Sequence, residues 1–189
     1  LEEIFMKKLA MIVAFATLGI VGANAGTVVI DVTGTDSWDA YGSANNVHKL
    51  VNVGGAGATI TGIGWDVTLT ATSPSWLQEL GVAIGDDAGT SGVFLRPGAG
   101  DNFAGTESYS SGGIIDLSDN GIADIVLSDG IVDLEFYESF DDAANAIDGQ
   151  WVRGTLTLEY EGGDVVPEPM SMMALAAGVA GVLARRRRK

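Results

Sequence analysis

The sequence contains no cysteine and a single histidine, His48. The first absence excludes a disulfide framework and thiol chemistry. The two together exclude a zinc centre, which needs several His or Cys ligands. They also leave nucleophilic catalysis without its usual base, and no Gly-x-Ser-x-Gly elbow occurs. His48, beside Lys49 in a strand-like run, reads as a surface residue. Basic residues are equally scarce in the middle of the chain. Between residues 26 and 165 there are 22 acidic side chains against Lys49, Arg96 and Arg153, a net charge of −19. A field of that sign repels nucleic acid and anionic lipid headgroups, and it suits divalent cations or neutral polymers. Proline is down to four residues, two of them Pro167 and Pro169.

Glycine, by contrast, is abundant at 27 of 189 residues, about twice the usual ~7%. With Asp and Asn it marks turns at Asp86-Asp87-Ala88-Gly89, Arg96-Pro97-Gly98, Ser111-Gly112-Gly113, Asp119-Asn120-Gly121, Asp129-Gly130 and Asp148-Gly149. Between the turns, apolar and polar residues alternate with a period of two. Val28, Ile30 and Val32 share one face. Ile63, Trp65, Val67 and Leu69 share another, which places Trp65 in the core. Val132, Leu134 and Phe136 alternate with Asp133, Glu135 and Tyr137, and Leu156, Leu158 and Tyr160 close the series. Further strands are expected at 47–53, 80–84, 93–95, 114–117 and 122–127. Helix is scarce in the body, and Ser75 to Leu80 can make one turn with Ser75 as its cap. Roughly nine short strands with Gly/Asp turns predict an all-β fold, an antiparallel β-sandwich of jelly-roll type.

The two ends differ from this body. Leu1 to Phe5 precede Met6 and read as an upstream extension. Met6-Lys7-Lys8 is a basic n-region, Leu9 to Val21 an apolar h-region, and Ala23-Asn24-Ala25 a small-x-small cleavage site. Residues 1–25 are therefore expected to be a signal peptide with a signal helix, and the mature chain to begin at Gly26. Residues 26–165 form the expected β-domain, about 140 residues and enough for one core. Residues 166–189 form a tail in three parts: Val166-Pro167-Glu168-Pro169, an uncharged segment from Met170 to Ala184, and the basic stop Arg185-Arg186-Arg187-Arg188-Lys189. Fifteen helical residues span roughly 22 Å, short of the ~30 Å bilayer core. Snorkelling arginine stems narrow that gap, giving a short membrane helix. The positive-inside rule keeps the cations cytoplasmic and the body outside.

This order of motif, apolar segment and arginine run resembles the PEP-CTERM sorting signal of exported bacterial proteins. The resemblance implies an exosortase-type sorting enzyme as partner, alongside the export machinery, and processing near Pro167-Glu168-Pro169. It further implies membrane anchoring by the tail, followed by a cell-surface or extracellular location in a Gram-negative-type bacterium that makes extracellular polysaccharide. Two internal stretches, Gly64 to Thr70 and Glu138 to Leu158, resemble parts of jelly-roll P domains. That favours the same topology and carries no catalytic residue.

Within the body, two carboxylates across a cleft would be needed for glycoside hydrolysis. Glu135 with Asp133 or Glu138 has suitable spacing, yet with so many acids a solvated acidic face accounts for the pairing. No enzyme is expected, and no catalytic residue is assigned. Calcium is the candidate cofactor, because it takes oxygen ligands from acidic loops. The residues considered for it are Asp86, Asp87, Asp141, Asp142 and Asp148, without EF-hand spacing. Sugar contact would use flat exposed rings near loops, here Trp38, Tyr41 and Trp76. Trp151 could serve either core or ligand. The expected function is a non-enzymatic cell-surface or matrix protein. The alternatives are a carbohydrate-binding module for extracellular polysaccharide and, further off, a small glycosidase or lyase.

Overall fold

The computed structural model describes residues 25–142 and 146–163. The compact β body spans Asn24–Asp164. Residues 1–24 of the expected signal segment, with Ala23, and the C-terminal tail, including Val166 to Pro169 and Arg185 to Lys189, lie outside the described residues, whereas Ala25 and Gly26 of the expected cleavage site open the first strand. No helix among the described residues is long and apolar enough to cross a membrane.

Eleven strands are formed: β1 (Ala25–Asp31), β2 (Thr35–Ser37), β3 (Val47–Asn52), β4 (Ala58–Ala71), β5 (Leu80–Asp86), β6 (Gly92–Leu95), β7 (Gly105–Ser110), β8 (Ile115–Asp116), β9 (Ile125–Leu127), β10 (Ile131–Glu138) and β11 (Gly149–Gly162). One sheet runs β1-β11-β4-β7, with β2 added to β11 and β8 and β9 added to β4. The other runs β3-β10-β5-β6. The antiparallel pairs β5–β6, β4–β7, β3–β10 and β1–β11 nest one inside the next. Wrapping that nested ribbon brings β10 beside β5 and β11 beside β4. This is the strand order of a jelly roll.

The alternation seen in the sequence decides which side chains face the core. Val132, Leu134 and Phe136 on β10 are fully buried, as are Val82 and Ile84 on β5 and Leu156 and Leu158 on β11. Trp151 is fully buried too, edge-on to Phe136 with ring centroids 5.2 Å apart. Trp65 is half-buried and packs against the core cluster. β11 carries a register shift between Trp151 and Arg153. Just beyond it Gly154 adopts φ +125°, a backbone region that glycine reaches without strain.

The expected turn near Ser75 exists as a 3₁₀ turn, Leu77–Glu79, but Ser75 does not cap it. Instead the Trp76 N–H donates to the Glu79 carboxylate at 2.7 Å. Ser75 Oγ is buried without a hydrogen-bond partner. Strand β7 and the short β2 carry no clear apolar alternation, so neither is among the strands expected from the sequence. β7 lies at the end of its sheet path, where a polar Thr/Ser-rich face is stable in water.

Candidate functional site

The outer face of the sheet β3-β10-β5-β6 gathers the most distinctive surface side chains. Register sets them in rows. His48, Glu135, Ala83 and Phe94 stand abreast across four strands. The next row is Leu50, Asp133, Gly85 and Gly92. In the other direction Tyr137 stands beside Gly81. A Cβ at Gly81 would lie 2.7 Å from the Tyr137 ring, so glycine is what allows that ring to lie flat across β5. The small residues of β5 leave a depression of about 460 Å³ lined by Tyr41, Ala83, Gly85, Asp87, Phe94 and Asp133.

Tyr41 comes to this face from the loop between β2 and β3. Its ring meets Phe94 at 5.0 Å and Tyr137 at 5.8 Å, and Phe94 meets Tyr137 at 5.7 Å, all three edge-on. Phe94 is 62% exposed and Tyr41 54%, and the two cover Tyr137, which is buried, so the trio sits on the outer face of the sheet and not in the core between the layers. Burial raises the Tyr137 phenol above its usual range. Arg96 partly opposes the rise, while Glu135 and Tyr41 add to it.

The loop carrying Tyr41 is pinned by acids. Glu135 Oε1 accepts from the Gly42 N–H at 2.6 Å and from Asn46 Nδ2 at 2.6 Å. Asp39 Oδ2 accepts from Ser43 Oγ and Asn45 Nδ2, each at 2.8 Å. Glu135 is therefore a loop anchor. Glu138 has the opposite parity on β10 and faces the interior, so the two do not share a cleft. Asp133 pairs with His48 Nδ1 at 2.9 Å on the outer face, where His48 was expected to be a surface residue.

The other sugar candidates lie apart. Trp76 is 41% exposed beside the 3₁₀ turn and Trp38 is half-buried; neither joins the ring trio. Trp151 belongs to the core. Phe94 carries no contact signal in the sequence, whereas the alternation of 132–137 sets Tyr137 on the outer face.

The calcium candidates fall in two places. Asp86 closes its own turn, accepting from the Thr90 N–H and Oγ1 and from the Ser91 N–H at 2.6–2.8 Å. The Thr90 side chain does most to hold its pKa below the usual carboxylate value, with the two backbone donors adding to it. Asp87 beside it is exposed. Asp141, half-buried, exposed Asp142 and buried Asp148 lie around Glu138, at the far end of β10. Burial pushes the Glu138 carboxyl up to about 9, with the fields of Asp148, Glu79, Asp142 and Asp141 adding to the rise.

Residues 165–189 match the family model of the PEP-CTERM protein-sorting motif. The chain thus carries the tail of an exported protein that an exosortase processes. No curated protein matches it. Among solved structures, it is similar to a chain of the infectious bursal disease virus Gx strain structure. The identity is 14% and the TM-score 0.36, over 76% of this chain and 33% of that one. It is also similar to the infectious bursal disease virus VP2 subviral particle, at 11% identity and TM-score 0.34, again over 76% and 33%. A nora virus structure follows at 12% identity and TM-score 0.24, over 79% and 64%. The chain therefore spans about a third of the length of the first two. The jelly-roll assignment rests on the strand order of this chain itself.

Proposed function

We propose that the β body is a non-enzymatic component of the cell surface or extracellular matrix, carried there by a signal peptide and released from a membrane anchor at its tail. The match of residues 165–189 to the sorting motif is the observation that carries this reading. The use of the acids supports the non-enzymatic part. Asp39, Asp86 and Glu135 spend their carboxylates on holding loops. Asp116 does likewise, accepting from the Asp119 N–H and Ser118 Oγ.

Replacement of Pro167-Glu168-Pro169 by Ala-Ala-Ala in the producing bacterium tests the sorting step. The expected outcome is intact export with loss of tail processing, seen by mass spectrometry as a heavier, membrane-retained product. A mature product of unchanged mass and location would overturn the assignment.

A second reading, binding of a neutral extracellular polysaccharide, is favoured by the exposed rings of Tyr41 and Phe94, packed on buried Tyr137 beside a shallow, acid-edged depression. Flat rings cover sugar CH groups while polar edges fix hydroxyls. Affinity electrophoresis in gels containing the host's own polysaccharide should show retardation that falls at least tenfold in a Tyr41→Ala/Phe94→Ala double variant. Retardation unaffected by both changes ends this reading.

A further inference from the structure

The interior end of the sandwich, where β10 leaves its sheet, is built unlike the rest of the core. Val132, Leu134 and Phe136 set the inward series of β10, and Glu138 continues it. A carboxylate thus stands where the alternation calls for an apolar side chain. Glu138 is 0% exposed, and neither of its carboxylate oxygens has a hydrogen-bond partner. Backbone contacts tie other oxygen-bearing segments to this end of β10. The Glu138 N–H donates to the Asp39 carbonyl at 2.9 Å, and the Ser139 N–H to the Glu79 carbonyl at 2.8 Å. The Asp148 N–H reaches the Ser37 carbonyl at 3.2 Å, and the Asp148 carbonyl accepts from Thr72, whose own carbonyl accepts from Ser75. The hydroxyls of Ser37 and Ser75 are fully buried and lack partners, and so does Asp141 Oδ1.

No cation among the described residues is paired with Glu138. Among the described residues Lys49 donates to the Asp31 carbonyl, Arg96 to Ser139 Oγ and Arg153 to Thr68 Oγ1, while His48 pairs with Asp133 on the outer face. The charged groups that bear on Glu138 are all acids, namely Asp148, Glu79, Asp142 and Asp141. An unpaired buried carboxylate among like charges is strongly unfavourable, so Glu138 either keeps a proton or takes its counter-charge from outside. The donor set is oxygen only, with neither sulfur nor imidazole, and such a set selects a hard cation. We propose that this end of the sandwich binds calcium, with Glu138 as the central ligand, Asp148 and Asp141 beside it, and the Ser37 and Ser75 hydroxyls supplying further oxygens. No three acidic or histidine side chains among the described residues form a ready-made cage. The site is instead a mixture of carboxylate, hydroxyl and carbonyl oxygens, which calcium accepts in its flexible shell of about six to eight.

Calorimetric titration of the full-length chain in detergent with calcium chloride tests this, together with thermal unfolding in calcium and in EDTA. Binding is expected at roughly 10⁻⁴–10⁻³ M, the range of extracellular modules, with a higher melting temperature in calcium. Glu138→Gln should weaken binding at least tenfold while melting in EDTA no lower than the wild type. Asp87→Asn, on the outer loop, should keep the full response. The proposal is overturned when calcium leaves the wild type unchanged, because Glu138 then keeps a proton and needs no ion, or when Glu138→Gln still binds normally. If Glu138→Gln does not fold, a Ser37→Ala/Asp141→Asn double variant decides the matter. Several-fold weaker binding supports the site, and undiminished affinity overturns it.

Discussion

Trp151→Ala is expected to cost about 3–5 kcal/mol. That is a large part of the ~5–15 kcal/mol by which a domain is stable. The indole is fully buried on β11 and edge-on to Phe136 of the opposite sheet, so it bridges the two layers of the sandwich. Its removal leaves a cavity lined by both sheets, which cannot close without shifting strands on each side. The indole Nε1 has no hydrogen-bond partner, so its polar edge contributes no bond. Trp151→Phe should therefore lose less than half as much as Trp151→Ala, because it keeps the ring contact and removes only an unpaired donor. Urea titration of both variants by circular dichroism measures the difference. Equal losses in the two would show that the ring contact with Phe136 is not what holds the layers together.

Gly154→Ala should be at least as damaging, for a reason that no contact energy describes. Gly154 follows the bulge of β11 at φ +125°, and a Cβ there would be driven into the Asp66 carbonyl oxygen and the Val67 backbone of the neighbouring β4. Backbone strain of about 1–3 kcal/mol adds to a clash with main chain, which cannot rotate away as a side chain can. Its carbonyl also accepts the Val32 N–H at 3.0 Å and its own N–H reaches Thr33 Oγ1, so movement of residue 154 would break the turn after β1. The expected outcome is a loss of at least about 3 kcal/mol, or failure to accumulate as folded protein. Gly89→Ala is the contrast. Gly89 also has positive φ, but a Cβ there meets nothing within 4 Å, so only the smaller backbone cost remains. Similar melting temperatures for the two variants would sink this argument.

The alternation of β4, β10 and β11 was legible because apolar residues recur at every second position and face the core. It gave the fold class and the parity that sets Tyr137 outward and Glu138 inward. β7 was hidden because a Thr/Ser edge strand has no apolar face to announce it. The role of Trp151 stayed open because a period of two does not reach across the bulge after it. The ring trio was half legible: Tyr41 stood out as a loop aromatic, but its neighbours Phe94 and Tyr137 come from strands that only sheet pairing brings together. Acidity misled in a different way. Asp86 looks like a metal ligand in one dimension, yet its oxygens are used by the residues that follow it. Glu138 looks like one more surface acid, and only its place at the end of an inward series reveals its burial.

The pairing of β1 with β11, from Ala25 opposite Glu161 to Asp31 opposite Thr155, sets a schedule for a chain that emerges N-terminus first. The earliest strand to arrive has its main-chain partner at the very end of the body, some 130 residues later, so long-range closure comes last. Until β11 has been delivered, β1 is an open edge and β4 lacks its longest neighbour. The sorting segment follows directly behind β11 in the chain. Completion of the jelly roll and arrival of the tail are therefore nearly one event, and an export factor that shields unpaired strands would be needed up to that moment and not after it.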